Sequence, residues 1–214
     1  MITRYLRWRR ARRASGDRGL AMVEMAIVAP FLALMMAGIV EYGTMWRDNQ
    51  TLSSSTRAAT RVASNLGSNH LADYEAILSL NSGLSSIDGF TLEDVMIYDA
   101  SAADGAPHSS CFTGSGDPQD SAGYCNHYTG AEVAAIAVLA CDPSCSDFQA
   151  TVGSCAGSLT WAFCPQTDRE TSQTVGLTSV GVWVRINREY FTGIFPGDGV
   201  TMEDRTVMKV EPEN

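Results

Sequence analysis

Positive charge is scarce beyond the first eighteen residues. Of the fifteen Lys and Arg in this 214-residue chain, seven fall between Arg4 and Arg18, leaving eight against 23 Asp and Glu in residues 19–214. Nucleic acids and anionic lipid headgroups are held by clustered basic side chains. No nucleic-acid partner is therefore expected for this acidic part. Histidine is sparse as well: His70, His108 and His127 sit in polar stretches with no patterned acid or nucleophile beside them. No P-loop, G-x-S-x-G or H-E-x-x-H is present, and Asp94, Asp99 and Asp104 lack the spacing of a calcium loop. The chain reads as neither an enzyme nor a cofactor-binding protein.

Residues 20–40 are almost uncharged and carry one acid, Glu24. At about 1.5 Å per residue, this run crosses a hydrocarbon core of roughly 30 Å as a helix. Seven arginines precede it and only Arg47 closely follows it. Cations flanking a span stay on the cytoplasmic side, so the expected topology is a single pass through the cytoplasmic (inner) membrane, N-terminus in and residues 41–214 extracytoplasmic. A secretory signal would have a shorter apolar core and a small-residue site directly after it.

Glu24 is costly there, since an ionisable group at a helix centre in the bilayer carries a penalty of about 2.5–3.5 kcal/mol. No basic residue between positions 20 and 40 offsets it. Two readings stay open. Four residues into the span, Glu24 lies at headgroup level; alternatively, cleavage after Gly19 creates an α-ammonium on Leu20 and makes Glu24 the fifth residue of the mature helix. In the second reading the acid sits at the favourable end of the helix dipole and can meet the α-amino group of a neighbouring subunit.

The order basic leader, Gly19, Glu24 and an apolar helix with Pro30 at its eleventh mature position is similar to a type IV prepilin signal. More narrowly, three segments resemble the TadE-like pseudopilins. They are Gly19-Leu20-Ala21-Met22-Val23-Glu24-Met25-Ala26-Ile27-Val28-Ala29-Pro30, then Gly38-Ile39-Val40-Glu41-Tyr42-Gly43, then Ser55-Thr56-Arg57-Ala58-Ala59-Thr60-Arg61-Val62-Ala63. The departures are Met25 for an aromatic residue and Ser55-Thr56 for paired alanines. The resemblance implies a minor pilin or pseudopilin of a tight-adherence (Flp) type IV pilus or related secretion machine, cut after Gly19 by a prepilin peptidase. Its implied partners are other pilins or pseudopilins and the inner-membrane pilus platform, with possible incorporation in an extracellular pilus. The alternative is an uncleaved single-pass anchor carrying an exported binding protein or enzyme. Pro30 is read either as an ordinary bend or as a kink that helps the helix leave the bilayer.

Beyond the span, Met45, Leu52, Ala59 and Leu66 recur at sevens while Arg57 and Arg61 lie on the opposite side. A continuous helix over residues 20–66 is expected, with Gly67 as its C-cap. The division is a basic leader at 1–19, a transmembrane and spine helix at 20–66, and an extracytoplasmic domain at 67–214. All six cysteines, Cys111, Cys125, Cys141, Cys145, Cys155 and Cys164, follow the span. Export makes disulfides the default; of fifteen connectivities, Cys111–Cys125, Cys155–Cys164 and Cys141–Cys145 are favoured. Zinc, with His108 and His127 near Cys111 and Cys125, is the weaker rival because no C-x-x-C or H-x-x-x-H spacing occurs.

Within that domain, Leu71, Tyr74, Ile77, Leu78 and Leu80 predict an amphipathic helix ended by Asn81-Ser82-Gly83. Residues 91–98 read as a strand, 101–130 as a disulfide-braced loop, and 131–140 as a short helix or buried strand. Val180, Val182, Val184 and Ile186 alternate with Gly181, Trp183, Arg185 and Asn187 as in a half-buried strand. Pro196-Gly197-Asp198-Gly199 turns the chain, and Met202, Thr206, Met208 and Val210 share one side of the returning strand. The expected class is α+β, a long N-terminal helix followed by a small antiparallel sheet with a helix beside it.

Overall fold

The structure, a computed structural model, describes residues 2–69, 71–138, 169–173, 176–193 and 195–212, with side chains except at 2–18 and 135–138. Helix α1 spans Ile2–Leu66 and α2 Ala72–Leu84; strands β1 (Phe90–Asp99) and β2 (Cys125–Thr129) precede α3 (Gly130–Val138), and β3 (Ser179–Arg188) and β4 (Val200–Lys209) close the chain. The class is mixed α+β: a long apolar N-terminal helix, then a small domain built on one four-stranded antiparallel sheet in the order β2-β1-β3-β4. Two compact units are formed, one by Met1–Thr44 with Phe191–Pro196 and the other by Met45–Tyr190 with Gly197–Asn214.

Helix α1 begins at Ile2, not at residue 20. The basic leader is rich in Arg, which ranks high in helix propensity, and Gly16 is its one glycine before Gly19. Pro30 lies inside the helix without ending it. The helix stops at Leu66, and Gly67 follows with φ +49°, the left-handed conformation that closes a C-terminus.

In the larger unit, the second half of α1 turns Leu52, Ala59 and Ala63 into the core, while Arg57 and Arg61 are exposed. Ser55, Thr56, Thr60 and Ser64 are buried too. Their hydroxyls avoid the cost of burial by bonding to backbone: Ser55 to Thr51 O, Thr56 to Leu52 O, Thr60 to Thr56 O and Ser64 to Lys209 O.

Small residues here permit close approach. A Cβ at Gly83 would lie 2.4 Å from Ser55 Oγ. Gly83 therefore does not terminate α2, which runs on to Leu84; it is the point where α2 packs against α1. Tyr74, Ile77, Leu80 and Leu84 complete that face.

One face of the sheet presents Val95, Ile97, Val180, Val182, Val184, Ile186 and Met202 to this core. Strand β3 is not half-buried as its alternation suggests, because the opposite face is also covered. There Met96, Tyr98, Ala100, Cys111, Cys125 and Trp183 form a second cluster, with Phe112 packed edge-on to Trp183. The expected loop over 101–130 provides that cover and contains the edge strand β2. It is closed by the Cys111–Cys125 disulfide, Cα–Cα 6.1 Å. Cys141, Cys145, Cys155 and Cys164, and their favoured pairings, lie outside the described residues, as does His70. The ambiguous apolar run at 131–140 forms α3 through Val138.

Candidate functional site

Gly19, Leu20, Glu24 and Pro30 all fall within α1, on turns open to the surroundings. Leu20 and Glu24 are four apart, so they neighbour each other on one side of the helix. Glu24 has no ion pair among the described residues. Along the same stretch Met22, Met25, Ile27, Phe31, Met35 and Ile39 are exposed. This segment is long and apolar enough to cross a membrane.

Directly after the apolar run stands Glu41, only 3 % exposed. Its carboxylate accepts from the backbone N–H of Phe191 at 2.8 Å, from the N–H of Thr192 at 2.9 Å and from the Thr192 hydroxyl at 2.8 Å. Three donors converging on one carboxylate stabilise its charged form and fix Phe191 and Thr192 beside the helix. Glu41 stands in the second motif, and its acidity at the close of an apolar run is the one sequence signal of this role.

A second constellation lies at the end of α1. Asp73, in the first turn of α2, is 1 % exposed and takes Arg169 Nη2 at 2.5 Å, Asn126 Nδ2 at 2.8 Å and the Tyr128 hydroxyl at 3.3 Å. Arg169 Nη1 donates to the Ala63 and Gly67 carbonyls, 3.4 and 3.5 Å away. A single guanidinium thereby pairs with the acid at the start of one helix and with orphan carbonyls at the end of another. Burial, and then the Asp73 charge, push the Tyr128 phenol well above its ordinary range, so Tyr128 acts as a hydrogen-bond donor.

Asp94 joins Arg185 at 2.5 Å and His127 at 2.7 Å, and Arg188 joins Asp48 at 2.8 Å. His108 stacks on Tyr124 with ring centroids 4.0 Å apart. The two histidines considered as zinc ligands are thus engaged elsewhere, and Cys111 and Cys125 are joined to each other. Among the described residues no group of three His, Cys, Asp or Glu converges as a metal site. A depression of about 380 Å³ beside the end of α1, lined by Val62, Asn65, Leu66, Asn69, Leu71 and Glu75, brings one carboxylate and no nucleophile together.

Asp204 is a less comfortable acid. It shares the inward side of β4 with Met202, and its Oδ2 is buried with no partner among the described residues. Burial raises its pKa above 3.8, against the opposing effects of Thr56, Arg57 and Ser53. A carboxylate whose folded-state pKa is raised loses stability as pH climbs through that value and costs nothing once both states are protonated. Asp204→Asn is therefore expected to raise the melting temperature at neutral pH and to lose that advantage near pH ~3, as read by thermal melts at the two pH values.

Residues 19–61 match the family model described as TadE-like protein. No curated protein matches the chain, and no solved structure matches it. The matched residues take in Gly19, Glu24, Pro30, the apolar helix and Glu41, the features that the three sequence segments had pointed to. Over residues 19–61, the chain is similar to TadE-like proteins.

Proposed function

We propose that this protein is a minor pilin or pseudopilin of a Flp, tight-adherence type IV pilus or a related secretion machine. The carrying observation is the TadE-like match over a stretch that holds both the Gly19–Glu24 spacing and a helix apolar enough to span a membrane. The seven leader arginines keep the N-terminus inside, and the Cys111–Cys125 disulfide suits export of the rest. A prepilin peptidase removes residues 1–19. The new Leu20 ammonium then stands one turn from Glu24, and in a bundle of such helices the carboxylate pairs with the terminus of a neighbouring pilin. The role is assembly, with no catalytic step assigned to the chain.

The rival reading, an uncleaved anchor with an exported binding or enzymatic domain, draws on one observation: α1 runs unbroken across the Gly19–Leu20 bond, and a helical peptide bond resists proteolysis until it is unwound. The mature N-terminus in the native cell separates the two, with Leu20 expected and retention of the leader favouring the anchor. Glu24→Gln is expected to leave membrane insertion intact while the affinity of each subunit contact falls by about tenfold, roughly 1.4 kcal/mol, and fibre yield falls with it. Normal piliation in that variant would remove the assigned role of the carboxylate.

A further inference from the structure

We propose that the loop carrying Phe191, Thr192 and Phe195 is a second membrane contact, seated at the lipid headgroup boundary and held there by Glu41. The inference rests on reading α1 as a spanning helix, and adds a loop that lies outside the three sequence motifs.

The segment belongs to the same compact unit as the apolar helix. Phe191 is 68 % exposed and Phe195 41 %, and on the helix Tyr42 is 69 % exposed. The six residues of the loop carry no charge. Large aromatics displayed on an uncharged loop are poorly suited to water, yet aromatic side chains concentrate at membrane interfaces.

Glu41 sets the level. It immediately follows the apolar run, so it emerges where hydrocarbon gives way to headgroups, and its bonds to the Phe191 and Thr192 N–H groups hold the loop at that depth. The same bonds solve a problem of solvation. Irregular backbone near lipid is tolerated only where its polar groups are satisfied within the protein, and here the carboxylate satisfies two of them along with the Thr192 hydroxyl. Glu41, which needs partners of its own at that boundary, gains three donors in return.

The test is photo-crosslinking of the full chain in vesicles of phosphatidylethanolamine and phosphatidylglycerol, with p-benzoylphenylalanine replacing Phe191, Val28 or Arg57 in separate preparations. Lipid adducts are expected at 191 and 28 and not at 57. Adducts at 28 without adducts at 191 overturn the loop contact while leaving the span intact; adducts at neither overturn both. Cross-links at 191 to a second copy of the chain in place of lipid assign the surface to self-association and sink the proposal. Adding Glu41→Ala is expected to cut the lipid yield at 191 by about tenfold with no change at 28, since charge-assisted bonds to the loop are lost. An unchanged yield at 191 would overturn the clamp.

Discussion

Gly19→Ala is expected to leave the leader on the chain, so that the intact mass in a cell with its prepilin peptidase stays that of the full 23.0 kDa polypeptide. The protein itself does not require glycine here, because a Cβ at position 19 would meet nothing within 4 Å. Any loss of processing is then a property of the enzyme–substrate encounter. Two physical effects act together. The Gly19–Leu20 bond lies in a helix, and a peptidase has to draw it into an extended conformation; alanine stabilises the helix by about 1 kcal/mol relative to glycine, opposing that opening. The added methyl also occupies space where the peptidase must approach the carbonyl. Retention of the leader keeps seven arginines beside Glu24's helix and withholds the Leu20 ammonium, so fibres should disappear with processing. Efficient cleavage of the Ala variant would show that recognition lies elsewhere in the leader.

Arg169→Ala is the largest expected loss of stability. It leaves Asp73 buried with no cation and strips the Ala63 and Gly67 carbonyls of a donor. Breaking a buried pair from one side costs about 3–5 kcal/mol, which for a domain of this size lowers Tm by on the order of 10 °C. Near-UV circular dichroism of the detergent-solubilised chain reads the transition. The double replacement Asp73→Asn with Arg169→Met removes both charges, and it should recover most of the loss because no ion is left stranded. Equal destabilisation by the single and double variants would mean that the shape of the guanidinium, and not its charge, is what matters.

The elements legible in sequence are those whose burial follows a simple period. Helix α1 beyond the membrane run, strand β1 and the hairpin β3–β4 all carry apolar residues at helical or alternating spacing, and each formed within a few residues of its expected place. Strand β2 gave no such signal. Its inward residues are Asn126 and Tyr128, polar groups aimed at Asp73, so Cys125-Asn126-His127-Tyr128-Thr129 looks like loop until its partners are known. Gly83 misled for a related reason: glycine ends helices by default, and only the packing of Ser55 where a Cβ would stand explains one inside α2. The long-range polar contacts were out of reach because their members are distant in the chain. Arg169 is 96 residues from Asp73, and Phe191 is 150 from Glu41. Local pattern carries no trace of either. The burial of Trp183 was missed because a Gly- and Ser-rich loop does not advertise that it covers a sheet.

The departure from paired alanines at Ser55 acquires a meaning from its contact with Gly83. With the two helices this close, the combined bulk tolerated at positions 55 and 83 is capped, and neither can grow alone without prising the helices apart. Natural or laboratory variation there should run as a see-saw, a heavier side chain surviving at one position only where its counterpart has shrunk. Since glycine has nothing left to give up, residue 55 is the one confined to serine, alanine or glycine.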